Sequence, residues 1–242
     1  SFFFFGIKLI RIIDIKMSFG CTEVELKQAT AKALKIKESD IKAFSLARRS
    51  IDSRKKDNII LVYSAEIETD LDEERVVAPF PQNKAFVTKK YEYILPEAKR
   101  PFPLRPVIAG FGPAGMFAAL TLAKAGLRPI VLERGSAVEE RTKEVDIFWT
   151  TRKLNTQSNV QFGEGGAGTF SDGKLTTGIK DSRCREVFLR FAEFGAPEEI
   201  LYSATPHIGT DKLKTVVKNL REEVIRLGGE IKFNTQLVDI IT

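Results

Sequence analysis

The rhythm of apolar and polar positions changes several times along this chain of 242 residues. Residues 9–16 (Leu-Ile-Arg-Ile-Ile-Asp-Ile-Lys) predict a strand. Over 22–36, Val24, Leu26, Ala29 and Leu34 recur near helical spacing, and Thr22 with Glu25 is placed as a capping box at the start. Residues 41–47 and 58–68 predict paired strands joined by a polar, basic loop, and 86–94 alternate as a further strand. A short helix near 71–78 completes the order β-α-β-β-α-β, which points to a small ferredoxin-like α+β domain over residues 1–96.

Four prolines fall within 95–106, so residues 97–105 read as a stiff linker. The pattern beyond is different. A strand at 106–109, a helix at about 113–125 and a strand at 129–133 form one β-α-β unit, expected to be right-handed. Ser136 and Glu139 carry a second capping-box signature, opening a helix to about 150. Residues 155–178 are rich in Gly, Ser, Thr and Asn and read as a long ordered loop. Helices follow at about 183–194 and 211–227. The later one has Leu213, Val216, Val217, Leu220, Val224 and Leu227 on one face, ends at Gly228-Gly229, and leads to a strand at 230–234. The expected fold class is α/β: a Rossmann-like domain over 106–242, incomplete at its C-terminus, preceded by the small domain.

Composition adds mainly exclusions. The net charge of +6 is shared equally between the two parts, so neither is an obvious polyanion-binding module. Cys21 and Cys184 have no CxxC spacing and no neighbouring histidine. They read as free thiols of a reducing cytoplasm rather than as a disulfide or a zinc site. The apolar start, Ser1 to Ile7, is interrupted by Lys8 and Arg11, is too short to span a membrane, and lacks the flanks of a signal peptide. The missing initiator Met suggests a fragment or a translated upstream extension.

The chemistry centres on Gly110-Phe-Gly112-Pro113-Ala114-Gly115, between the apolar strand and a helix. The first glycine permits a tight turn. The second lets backbone approach a pyrophosphate, and the third allows helix and strand to pack closely. Phosphates then lie at a helix N-terminus, where free N–H groups and the helix dipole favour negative charge. Glu133 ends the second strand, where a carboxylate can accept hydrogen bonds from ribose hydroxyls and disfavours a 2′-phosphate. A simple NAD domain would continue into further β-α units. Here the chain instead runs through Gln161-Phe-Gly163-Glu-Gly165-Gly166-Ala-Gly168 and on to Lys174, glycines that let backbone lie against a ligand.

Three segments carry a family resemblance: PVIAGFGPAGMFAALTLAKAGLRPIVLERG, KLNTQSNVQFGEGGAGTFSDGKLTTGIKD and PHIGTDKLKTVVKNLREEVIRLGGEIKFNT. They resemble bacterial FAD-dependent dehydrogenases of the NAD(P)/FAD-dependent oxidoreductase family. Residues 41–66 resemble that family's N-terminal domain, and the likeness runs from about residue 9 onward. It implies FAD held in the manner of glutathione reductase, with NAD(P)H as a possible electron donor. Gly110, Gly112, Pro113, Ala114 and Gly115 would hold the pyrophosphate and Glu133 the ribose, with Arg134 and Arg141 nearby. Gln161, Gly163, Gly165, Gly166 and Gly168 would approach the flavin side, and Leu237 would offer backbone to adenine. The family continues past the position of Thr242, so this stretch is expected to bind FAD weakly or not at all and to lack turnover alone.

Other residues have less distinctive readings. His207, the one histidine, is either a proton donor or a local hydrogen-bonding group before a helix that Thr210 would cap. Asp172 and Lys174 read as a loop salt bridge, with substrate contact as the alternative. The Arg48–Lys56 run reads as a solvated basic hairpin rather than a nucleic-acid grip. The function expected is flavin-mediated hydride or electron transfer on an unidentified small molecule, in the cytoplasm, with no membrane or nucleic-acid partner. A nucleotide-binding regulatory or RNA- or protein-interaction module is the alternative. No catalytic side chain and no oligomeric state is indicated.

Overall fold

The computed structural model describes residues 7–55, 57–95 and 103–241. The phenylalanine-rich start, Lys56 of the basic loop and most of the proline-rich linker lie outside the described residues. The chain divides into two units. The first runs to Tyr93 and takes in Glu198–Pro206; the second comprises Ile94–Pro197 and the chain from His207. The fold is mixed α/β, with an antiparallel sheet in the first unit and a parallel sheet in the second.

The first unit is built from β1 (Lys8–Ser18), α1 (Glu23–Leu34), β2 (Ala43–Asp52), β3 (Ile60–Glu68), α2 (Glu73–Val77) and β4 (Ala85–Lys89). Its sheet has the order β2-β3-β1-β4, and every pairing is antiparallel. In β1 the buried positions change phase: Ile10 and Ile12 face the core, and then Ile15 does. A bulge between Ile12 and Ile15 absorbs the extra residue, with Asp14 at φ 59°, a conformation that a short polar side chain tolerates. The capping box at Thr22 and Glu25 is formed. Leu26, Thr30, Ala31 and Leu34 make the buried stripe of α1, whereas Val24, expected on that stripe, is exposed.

The basic stretch departs from the sequence expectation. A bulge at Ala47 lets β2 continue through Arg48 and Arg49 to Asp52, so these residues belong to a strand rather than a loop. Arg49 is further engaged: its N–H donates to Tyr202 O (2.6 Å), and its carbonyl accepts from Ala204 N (2.9 Å). Its guanidinium lies over the Tyr202 ring, 5.2 Å from the centroid. Segment 198–206 thus protects the edge of β2, although sequence order assigns it to the later domain. At the other edge, β4 stops at Lys89, short of the expected residue 94.

The second unit contains β5 (Val107–Ala109), α3 (Pro113–Lys124), β6 (Ile130–Leu132), α4 (Val138–Thr151), α5 (Arg183–Glu193), α6 (Thr210–Arg226) and β7 (Glu230–Lys232). The strands lie in the order β5-β6-β7 and are all parallel. Leu213, Val216, Val217, Leu220 and Val224 are buried, and this face packs α6 against α3. Two predicted helix starts are corrected. Ala137 precedes α4 without a side-chain cap, because Ser136 Oγ bonds Glu144 (3.0 Å) and Glu139 pairs with Arg221. Gly209 precedes α6, and Thr210 Oγ1 instead donates to Ser171 O (2.6 Å). Among the described residues, no helix is long and apolar enough to cross a membrane.

Candidate functional site

Where β5 ends, the chain turns through Gly110 into α3. Gly110 has φ +90°, a region L side chains rarely adopt, and its N–H donates to Leu132 O (2.7 Å). The three glycines of the motif do different work. A Cβ at Gly115 would lie 2.0 Å from Gly110 O, so helix and turn are packed to the limit there. A Cβ at Gly112 would have only Gly166 Cα near it, at 4.0 Å, so the side-chain position is open. Gly112 precedes the first turn of α3, whose first residue is Pro113, a ring suited to that position.

The open side of Gly112 faces a cleft of about 370 Å³. The turn contributes Ala109, Gly110 and Gly112 to its wall, and the end of β6 contributes Leu132, Glu133 and Arg134. The loop supplies Gln161, Phe162, Gly163 and Gly166, and the chain after β7 supplies Thr235, Gln236 and Leu237. Pro113, Ala114, Gly115, Gly165 and Gly168 are absent from this lining. Gly115 serves packing, and Gly165 pins the loop to the turn through its N–H to Phe111 O (2.8 Å).

Glu133 is buried and already engaged. Oε2 accepts from Phe111 N (2.6 Å) and Oε1 from Gly135 N (2.8 Å). The carboxylate therefore braces the glycine turn against the exit of β6, and further acceptor capacity remains on its two oxygens. Arg134 stacks on Phe162, its guanidinium 3.7 Å from the ring centroid. Arg141, expected beside a cofactor, is fully buried and outside the lining. Its guanidinium donates to the carbonyls of Asn159 (2.8 Å), Val160 (3.0 Å), Gly163 (3.3 Å) and Glu164. Its role is corrected accordingly: it fixes the course of the loop. Burial pulls its pKa down to about 10, which leaves it charged at neutral pH.

Sequence reasoning missed three features. Gly135 is one: a Cβ there would lie 2.5 Å from Gly163 Cα, so the loop can cross the β6 exit only over a glycine. Its signal was the glycine directly after Glu-Arg at the strand end. Glu164 is the second. It is completely buried, accepts from Val138 N (2.7 Å) and Arg221 Nη1 (2.8 Å), and has no partner for Oε1 among the described residues. Burial is the leading cause that raises its pKa to about 7. The third is Arg221, which also holds Glu139 and lowers its pKa by hydrogen bonding. The Glu164 and Arg221 positions are far apart in sequence, and no local pattern links them.

The remaining candidates stand apart from the cleft lining. Asp172 and Lys174 form an exposed ion pair (2.9 Å), as expected. Lys174 and His207 meet in an isolated antiparallel bridge. No cluster able to hold a metal ion occurs among the described residues, and Cys21 and Cys184 are free thiols.

Two comparisons with known proteins bear on the chain. Residues 9–68, the span from β1 through β3, match a domain of unknown function, DUF8436. Across 231 residues, 96% of its length, the chain is 45% identical to an uncharacterized protein of Clostridium beijerinckii, and it spans 43% of that protein.

Proposed function

We propose that the cleft binds the adenosine and pyrophosphate portion of FAD, and that the chain is part of a flavin-dependent oxidoreductase. The observation that carries this reading is the contrast between Gly115, where a side chain has no room, and Gly112, where it has room facing the cleft. Backbone N–H groups at the start of α3 are then available to a pyrophosphate, with the helix dipole adding favourable potential. The parallel order β5-β6-β7 supports a Rossmann-like half-domain, in which ligands bind beyond the carboxyl ends of the strands. The preceding β-α-β-β-α-β unit supports a ferredoxin-like domain.

In this reading the open Gly112 position and the first turn of α3 hold phosphate, and Glu133 uses its remaining lone pairs on ribose hydroxyls. Arg134 and Leu237 flank the adenosine end. When bound, the flavin supplies hydride or electron transfer, with NAD(P)H as donor, while the protein positions it and excludes competing reactions. The substrate is a small molecule, and the setting is the cytoplasm.

The test is the visible absorption spectrum of the chain after incubation with FAD and desalting, beside a Gly112→Trp variant. Flavin bands retained by the native chain, or by the chain extended toward the length of its relative, and lost when the same chain carries Gly112→Trp, are expected. A folded native chain that retains no flavin, both alone and when extended toward the length of its relative, would sink the reading.

A further inference from the structure

We propose that Glu164 is a proton-binding positioning residue, whose carboxyl sets how firmly the 159–166 loop is held against the cleft. The loop converges on it. Its N–H donates to Ser136 O (3.1 Å), and its carbonyl accepts from Arg141 and from Thr169 Oγ1 (3.4 Å). Oε2 ties the loop to the first turn of α4 through Val138 N and to α6 through Arg221. Gly163 and Gly166, on either side, form part of the cleft wall. Whatever loosens Glu164 therefore loosens backbone that a ligand would touch.

The surroundings make the carboxyl's charge decisive. Oε1 is buried with no hydrogen-bond partner among the described residues, a costly state for an ionised oxygen. The facing charges come from three elements. Glu139, Arg141 and Glu144 lie on α4, Arg221 and Lys218 on α6, and Glu133 at the exit of β6. Lys214 of α6 lies farther out, over the Phe170 ring. Arg221 is shared with Glu139, and Glu139 and Glu133 repel ionised Glu164; Arg141 also attracts it, but its guanidinium is spent on loop carbonyls and leaves Oε1 bare. The neutral carboxyl keeps its acceptor for Val138 N and needs no counter-charge. Ionisation favours an opened loop that admits water to Oε1.

The sign follows from linkage. The closed loop holds the Glu164 proton to about pH 7, whereas a water-exposed glutamate releases it near 4.5. Closure is therefore fully favoured below about 4.5 and weakens as pH rises through 7.

The experiment combines a carbon-13 carboxyl titration with amide hydrogen exchange on the whole chain, corrected for intrinsic rates. A resonance absent in Glu164→Gln is expected to titrate near neutral pH. Protection of the 159–166 amides is expected to fall about tenfold or more between pH 5 and pH 8, since one pKa unit is a factor of ten. Glu164→Gln should be flat. If that variant does not fold, the wild-type titration and exchange profile still decide. A Glu164 that titrates in the ordinary glutamate range, or a loop whose protection ignores pH, overturns the proposal. FAD retention separates this from the cofactor reading. A responsive loop with no FAD retained by either the chain or its extended form overturns the cofactor reading alone, and an unresponsive loop with retained FAD overturns this one alone.

Discussion

Replacing Gly115 by alanine puts the packing of the glycine turn under a direct test. The added Cβ would sit 2.0 Å from Gly110 O, 3.0 Å from Gly110 C and 3.5 Å from Ile108 Cγ2. Real Cβ atoms essentially never approach closer than 3.0 Å, so the start of α3 and the turn must separate by at least 1 Å. Overpacking of this kind costs roughly 1–3 kcal/mol, and backbone rather than a flexible side chain is the obstacle, which favours the upper end. The shift also strains the Glu133 bond to Phe111 N, a charged hydrogen bond worth about 1.5–3 kcal/mol if lost. Against this, alanine in place of glycine within a helix contributes only about 0.5–1 kcal/mol. The clash wins, and a net loss of about 2–3 kcal/mol is expected. With a urea slope of about 1–3 kcal/mol/M, the midpoint should fall by about 1 M. Trp149, the one tryptophan, lies in α4 of the second unit and reports its unfolding by fluorescence. Gly112→Ala is the control: its Cβ meets nothing closer than 4.0 Å, and the loss should stay within about 1 kcal/mol. A Gly115→Ala chain as stable as the wild type within about 0.5 kcal/mol would refute the packing argument.

Arg141→Met should cost about 3 kcal/mol or more, because it strips four loop carbonyls of a buried donor; hydrogen exchange should show the loss first at residues 159–164. Thr22→Ala removes the capping box of α1 and should cost about 1 kcal/mol, read as faster exchange of the first-turn amides. The stability of the second unit should fall as pH rises from about 4.5 to 7. There the folded state retains the Glu164 proton that the unfolded chain releases. The depressed carboxylates, such as Glu139, act in the opposite sense and only at lower pH. The difference is of order 3 kcal/mol and is checked by urea midpoints at pH 5 and pH 8, which Glu164→Gln should bring together.

Much of the architecture is legible because its causes are local. Period-two and period-3.6 patterns arise from how successive side chains point, and they placed β1, α1, β3, α3 and α6 close to their observed bounds. The Gly110–Gly115 turn is similarly local, since three glycines within six residues fix both a turn and a helix start. Local rules failed where a distant partner competed for the same side chain. Glu139 has the spacing of a capping residue, yet Arg221 takes it, because a buried guanidinium must be paired. Thr210 is turned away from its own helix by Ser171 O. Arg48 and Arg49 look like loop residues until the β3 ladder, and segment 198–206, draw them into a strand.

The order of elements, the glycine turn and the acid at the end of β6 can be read from the chain alone. All of these depend on contacts within a few residues or on the period of one segment. That Arg141 and Glu164 are internal supports of the loop, and that Gly135 is where the loop crosses the strand end, emerges only from the folded chain. Charge burial is the physical reason. Whether a charged side chain faces water or must be matched inside depends on chain brought together from α4, the loop and α6, and no stretch of sequence contains all three.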